Sequence, residues 1–385
     1  MPLIAIDASS AAKPTKTGVE WYAFRLIEAM KNHALRGDER VVLFSPAPLE
    51  GALADLPAGW SSKVLSWLPG RGWMPLRVGW ELMRSRVPLG KGDDRGSVDV
   101  LFVPAQGFPA FSGKTKLAGV VHDVEFRLHP ELYEERQRMS LEFKTYSVVH
   151  RAVRLLAVSA YAKRTACEAY SIPHDRVDVT PLAPALPSHP SPLEGEGMGE
   201  VARPAPFFLV LGRVEKKKGA DVAVRAFEAF KRTRPADDPF ELRFLGGDGY
   251  QASDARTLAA RSPYAEKIRF EGYASEAVAA SALASATALL ALSRAEGFGI
   301  APLEAMRAGT PVIASDIPPF REVGGDAPLF VPVGDAQAAA AAMRRVAEDA
   351  SLRERLAATG PVRAAAFSWD ETARLTWESL RRVLY

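Results

Sequence analysis

Apolar-rich runs recur along the whole chain and are separated by stretches with helical spacing. Runs at 3–6, 41–45, 98–103, 117–121 and 155–158, and again at 207–211, 242–245, 268–270, 288–292, 311–314 and 329–331, read as buried strands. The segment 19–36 places Trp21, Phe24, Leu26, Ile27 and Met30 at helical spacing. Further helices are expected at 74–86, 131–151, after Ser159, at 220–234, 276–286, from Pro302, at 336–349 and at 369–384. Ser159, Ser275, Asp335 and Ser368 stand where N-caps belong, and Glu371 three residues after Ser368 suggests a capping box. Gly309 is a helix-ending glycine. Nearly continuous apolar strands alternating with helices predict an α/β protein with parallel sheets.

The pattern breaks at 181–206, where Pro and Gly dominate and apolar periodicity vanishes. A boundary there suits a chain of 385 residues. The expected division is a first domain over 1–182, a linker over 183–206 and a second domain over 207–366. A final segment, 367–385, follows. Residues 188–203 read as a low-complexity insertion, exposed and without a catalytic role. The net charge of +3 is nearly balanced, so no nucleic-acid partner is expected. A single cysteine, Cys167, permits no internal disulfide and suits a cytoplasmic compartment. No apolar run reaches the length of a membrane span, and the N-terminus reads as a first strand rather than a leader. Segment 57–96 is unusual, with Trp60, Trp67, Trp73 and Trp80 among Arg71, Arg77, Arg84 and Arg86. Its part 74–86 reads as a helix packed on the N-terminal sheet, and the segment's basic face is compatible with peripheral contact at an anionic membrane.

Candidate chemistry gathers where strands end. After the run 288–292 comes a loop, Glu296-Gly297-Phe298-Gly299, then a short helix carrying Glu304. Ligands bind at the carboxyl ends of strands in open α/β sheets, and amides at a helix start favour an anion. Glu304 beside a phosphate would be repulsive, so it is expected to face neutral hydroxyls, as on a sugar or ribose. Strand 207–211 ends in Gly212-Arg213, followed by Lys216, Lys217, Lys218 and Gly219. Arg213 offers a fork for phosphate oxygens and Lys218 a point charge, while Lys216 and Lys217 are expected to face solvent. His122 and Asp123 end strand 117–121, and Gly18 opens the first helix. Gly247 lies in a glycine cluster, and Tyr273 follows strand 268–270.

The stretch EGFG, an apolar pair, LEAM and GTPVIAS resembles the E-x(7)-E signature of GT-B glycosyltransferases, family 4 above all. Three further stretches are similar to motifs of that family: VVHDVEFRLHPELY, Gly212-Arg213-x(4)-Lys218-Gly219 and Phe367-Ser368-Trp369. The region around His122 looks most like that of bacterial mannosyltransferases of surface polysaccharide assembly. The resemblance implies two Rossmann-like domains facing across a cleft, with the last helix returning to the N-terminal domain. It implies a nucleotide-diphospho-sugar donor, with GDP-mannose first and UDP-glucose next, and a glycan or lipid-linked glycan acceptor. His122 and Asp123 would sit at the donor sugar, and Glu296 would hold its hydroxyls. Glu304 would hold the ribose, while Arg213, Lys218 and the amides of Gly297, Phe298 and Gly299 would hold the diphosphate. Gly18, Gly247 and Tyr273 would complete the donor site. The resemblance also implies retention of anomeric configuration. The sequence has no D-x-D, so no metal and no cofactor is expected. A catalytically inactive sugar-nucleotide-binding subunit and a GT-B nucleotide-sugar epimerase are the alternatives.

Overall fold

The computed structural model describes residues 1–66, 72–84, 87–88, 95–105, 107–186 and 205–385. The insertion expected at 188–203 lies outside them, as do Trp67, Arg71 and Arg86. The chain divides into two compact units. One comprises 1–128, 135–182 and 367–385, and the other 129–134 and 183–366.

The first unit is built on a seven-stranded parallel sheet in the order β3-β2-β1-β6-β7-β8-β9. Its strands are β1 (Leu3–Asp7), β2 (Arg40–Ser45), β3 (Trp60–Val64), β6 (Val100–Val103), β7 (Lys116–Val121), β8 (Arg154–Ala157) and β9 (Val177–Val179). A separate antiparallel pair, β4 (Val87–Pro88) and β5 (Arg95–Gly96), precedes β6. Helices α1 (Gly18–Lys31), α2 (Gly79–Met83), α3 (Glu125–Leu128), α4 (Glu135–Arg151) and α5 (Ala160–Tyr170) belong to this unit. The helix expected over 131–151 starts only at Glu135, because Pro130–Leu132 form a 3-10 turn. The stretch Trp73–Val78 is a π-helix that continues into α2.

The second unit is built on a six-stranded parallel sheet in the order β12-β11-β10-β13-β14-β15. Here β10 is Phe207–Leu211, β11 Glu241–Leu245, β12 Ile268–Gly272, β13 Ala288–Ala291, β14 Val312–Ser315 and β15 Leu329–Val331. The helices are α6 (Ala220–Lys231), α7 (Ala252–Arg261), α8 (Glu276–Ser285), α9 (Ile300–Arg307), α10 (Pro318–Gly324), α11 (Ala336–Glu348) and α12 (Ala350–Ala364). Strand β10 is buried at four of its five positions, as a central strand covered on both faces must be. Phe208 stacks on Phe240 at 5.3 Å, and Phe227, Phe230 and Phe244 fill the same core.

The last helix, α13 (Trp369–Leu384), packs within the first unit. Trp377 is 1% exposed, donates its indole N–H to the Met30 carbonyl at 3.2 Å and meets Trp60 edge-on. Arg381 pairs with fully buried Glu39 at 3.0 Å. Replacing Trp377 by Ala would cost about 3–5 kcal/mol. Ser368 caps the helix by accepting from the Glu371 N–H at 3.1 Å. The other half of the capping box is not made, because the Glu371 carboxylate is taken by Arg374.

In each sheet the strand order reverses beside the unit's first strand. The switch point lies between β1 and β6 in the first unit and between β10 and β13 in the second. The crevice outside such strand ends is where open α/β sheets bind ligands.

Candidate functional site

In the second unit the loops after β10 and β13 are stitched together. The Arg294 guanidinium grips Asp221 with two bonds of 2.7 Å and donates to the Lys216 carbonyl at 2.6 Å. The Arg294 amide donates to the Lys217 carbonyl at 2.8 Å. Gly219 lets this approach happen: its φ is +70°, and a Cβ there would lie 2.0 Å from the Leu292 carbonyl oxygen. Gly299 ends the β13 loop at φ +121°, and a Cβ would press on the Phe320 ring at 2.8 Å. Helix α9 starts from Gly299, carries Pro302 in its first turn and is followed by Gly309 at φ +73°.

A small cavity lies at this switch point, lined by Lys218, Ser293, Glu296, Gly299, Ile300 and Phe320 among others. Glu296 is its charged centre. The carboxylate accepts from the Ser293 hydroxyl at 2.8 Å and is bonded to the Lys218 ammonium. Burial pushes its pKa up, but Lys218 and Lys217 outweigh it and hold the carboxyl below the usual range. Glu296 is therefore an anion at neutral pH.

Lys217 is buried, at 9% exposure, rather than facing solvent. It donates to the Tyr133 hydroxyl at 3.0 Å with its Nζ 5.2 Å from the ring centroid. Tyr133 belongs to the short segment 129–134 that counts with the second unit. Arg213 is half exposed, with Glu215 at 3.7 Å. Glu304 is half-buried on α9, and Phe298 is buried. Tyr273 is 60% exposed. A Cβ on Gly247 would meet nothing within 4 Å, so that side of the turn is open.

In the first unit, His122 and Asp123 follow β7 directly. His122 Nε2 lies 2.9 Å from the Pro104 carbonyl, which can only accept, so Nε2 carries a proton. Burial lowers the His122 pKa, against the Pro104 bond and Asp123, which raise it. The neutral ring then presents Nδ1 as an acceptor. Tyr22 braces it edge-on at 4.9 Å. Gly18 is the first residue of α1, and nothing lies within 4 Å of where its Cβ would be. The helix start is organised by Glu20, which accepts from the Thr17 N–H at 3.2 Å and from Lys13 at 2.8 Å. Burial would raise the Glu20 pKa, but Lys13 and Thr17 outweigh it and bring it to about 2.

The sequence reading passed over several of these residues. Ser293 and Phe320 sit in the cavity lining. Tyr22 supports His122. Asp7 is fully buried at the end of β1, where it accepts from the Ser9 N–H at 2.9 Å, and burial pushes its pKa up to about 6. An acidic residue closing an apolar first strand was the available signal for Asp7. Nothing local marks Tyr133 as the partner of Lys217.

In segment 57–96, Trp60 and Trp73 are buried, and Trp73 donates to the Leu65 carbonyl at 2.8 Å. Trp80 is exposed, with the Arg84 guanidinium 3.5 Å from its ring centroid. Leu76, Met83 and Phe111 are exposed too. Among the described residues no helix is long and apolar enough to cross a membrane.

Residues 200–363 match the family described as Glycosyl transferases group 1. The chain is 29% identical over 248 residues to a D-inositol 3-phosphate glycosyltransferase of Frankia alni, covering 62% of this chain and 60% of that protein. It is 27% identical over 258 residues to O-antigen chain mannosyltransferase B of Escherichia coli, covering 66% of this chain and 67% of that one. The matched region is thus about two thirds or less of these relatives' length. Among solved structures, sucrose-phosphate synthase of Thermosynechococcus elongatus superposes with a TM-score of 0.70 at 16% identity, over 100% of this chain and 99% of that one. Two parallel sheets of seven and six strands give the chain a GT-B fold, and within it residues 200–363 match the group 1 glycosyltransferase family.

Proposed function

We propose that the protein is a retaining glycosyltransferase that moves a hexose from a nucleotide-diphospho-sugar to a glycan or lipid-linked glycan. The observation that carries this reading is Glu296, a buried ionised carboxylate in the switch-point cavity, held by Lys218. A carboxylate fixed there accepts from sugar hydroxyls. A Lys ammonium has three donors, so Lys218 can hold Glu296 and a phosphate oxygen together. Arg213 adds a fork from the same loop. These cations meet the charge that builds on the diphosphate as the anomeric carbon–oxygen bond breaks. With Arg213, Lys218 and the 297–299 amides present, the transfer needs no metal.

The acceptor oxygen bonds to the anomeric carbon on the face the diphosphate leaves. Its proton passes to the departing phosphate oxygen, giving free nucleoside diphosphate and a retained configuration. Glu304 accepts from ribose hydroxyls, and neutral His122 accepts through Nδ1 from a sugar hydroxyl. Mannose is the first choice of sugar and GDP-mannose the first choice of donor, in line with the mannosyltransferase of Escherichia coli. UDP-glucose is the next donor to test. The exposed Leu76, Trp80 and Met83, with Arg84, are the proposed contact with an anionic membrane surface.

The test is release of nucleoside diphosphate from GDP-mannose and UDP-glucose, with and without octyl α-mannoside or octyl β-glucoside, in the presence of EDTA. NMR of the product reads the anomeric configuration. Acceptor-dependent release with retention is expected. Binding without turnover would establish the inactive subunit instead, and an altered sugar nucleotide without transfer would establish an epimerase. Sedimentation with phosphatidylglycerol vesicles, lost in Trp80→Ser, tests the membrane contact.

A further inference from the structure

The first unit carries a second cavity that the transfer chemistry does not use. It has a volume of about 470 Å³, within the range of small-molecule sites. It runs along α1 beside the start of α13. Arg25 and Glu28 line it from α1, Asn32 from the cap that ends α1, Asp55 from the loop before β3, and Trp369 closes one side. Helix rise puts Arg25 about 10 Å, and Asn32 about 20 Å, from the start of α1. Trp369 lies 6.0 Å from Tyr22, the ring that braces His122. The cavity is therefore one aromatic ring removed from His122, within a single unit.

The chemistry of the lining selects its ligand. Lys31 is fully engaged: its ammonium donates to the Ala52 and Asp55 carbonyls at 2.6 and 2.9 Å and pairs with Glu28 at 2.8 Å. No proton of that ammonium is left for an anion. The charges of Arg25, Lys31, Glu28 and Asp55 cancel, so an anionic ligand gains little and a neutral one is not repelled. Beside these the lining offers the Trp369 indole, the carboxylates of Glu28 and Asp55, and an exposed Asn32 side chain. Such groups suit a ligand with an apolar face and a rim of hydroxyls, which is a pyranose. Its C–H face packs on the indole, and its hydroxyls donate to carboxylates and exchange with the amide.

We propose that this cavity binds a neutral saccharide segment, and that it holds the part of a long acceptor that extends away from the reacting sugar. The binding stands on the cavity alone, while its role in holding the acceptor rests on the glycosyl-transfer reading. Because the cavity lies a helical turn or more from the start of α1, acceptors of several sugars would gain from it and single sugars would not.

The experiment is calorimetric titration of the full chain with linear α-mannotriose, maltotriose and a heparin-derived disaccharide, followed by the same titrations of Trp369→Ala, Asn32→Ala and Asp55→Ala. Asn32 and Asp55 are exposed, so these two variants keep the test valid should loss of Trp369 disturb folding. At least one neutral trisaccharide should bind. Each variant should weaken it about fivefold or more, with nucleoside diphosphate binding unchanged. The proposal is overturned if neither neutral trisaccharide binds, if all three variants bind as the parent does, or if only the sulfated disaccharide binds. The two readings fail separately. Without glycosyl transfer, trisaccharide binding persists with no nucleoside diphosphate released. Without the cavity site, short acceptors turn over and trisaccharides show no added affinity.

Discussion

Replacing Lys218 by Met removes the ammonium that neutralises Glu296 and keeps the length of the side chain. Glu296 then retains the Ser293 hydroxyl at 2.8 Å and the field of Lys217. Truncating one partner of a fully buried ion pair costs about 3–5 kcal/mol. Lys218 is 28% exposed and Glu296 12%, so water takes over part of the role and about 2 kcal/mol is the expected loss. The sign with pH follows from the lowered pKa of Glu296. Its contribution is present above the ordinary Glu range, about 4.3, and is lost as pH falls through the lower folded value. The gap between parent and variant should be widest near neutrality and close in acid, where the variant's isolated carboxyl takes up a proton. Urea unfolding at pH 7.5 and in acid below the ordinary Glu range, at about pH 3.5, on Lys218→Met, Glu296→Gln and the double variant, measures this. The double variant should recover most of the loss, since a neutral amide needs no counter-charge. Additive single effects, or a gap unchanged with pH, would refute the assignment of Lys218 as the cation that keeps Glu296 ionised.

The other predictions address separate elements. Arg213→Ala should weaken nucleoside diphosphate binding about tenfold or more by calorimetry, as expected for a charged hydrogen bond to phosphate, with little change in stability because the guanidinium is half exposed. Asp7→Asn should stabilise the protein by on the order of 2 kcal/mol at pH 7.5. Burial raises the Asp7 pKa to about 6, so the parent loses stability as pH rises through that value, and the gap between the two melting curves should open from acid to neutral pH. Gly219→Ala should destabilise by roughly 3 kcal/mol, because it combines a left-handed residue with a clash, and equilibrium unfolding reads it directly. Ser368→Ala should remove a single N-cap bond and lose about 1 kcal/mol by the same measurement.

Much of the fold was legible because parallel strands covered on both faces announce themselves. The run 207–211 matches β10 residue for residue, and 329–331 matches β15. The edge strands of the first sheet were not legible. β3 reads Trp-Ser-Ser-Lys-Val and β9 spans only three residues, so neither shows the apolar run of a central strand. Motifs placed the loops of the second unit, since glycine and charge at strand ends are local signals. The pairing of Lys218 with Glu296, 78 residues apart, is not local, and neither is the burial of Lys217 under Tyr133, 84 residues away. Three adjacent lysines look alike in sequence, and only the path of the loop turns the middle one inward. Glu371 shows the same limit: its spacing from Ser368 fits a capping box, but the competing Arg374 is a better partner for a carboxylate.

Calorimetric titration of GDP, UDP and ADP into the parent, Arg213→Ala and Lys218→Met tests the central claim most directly. One nucleoside diphosphate should bind well above the others, and both substitutions should weaken it. If none of the three binds, or if binding is indifferent to both substitutions, the loops after β10 and β13 do not hold a diphosphate and the assignment of a nucleotide-sugar site there is wrong.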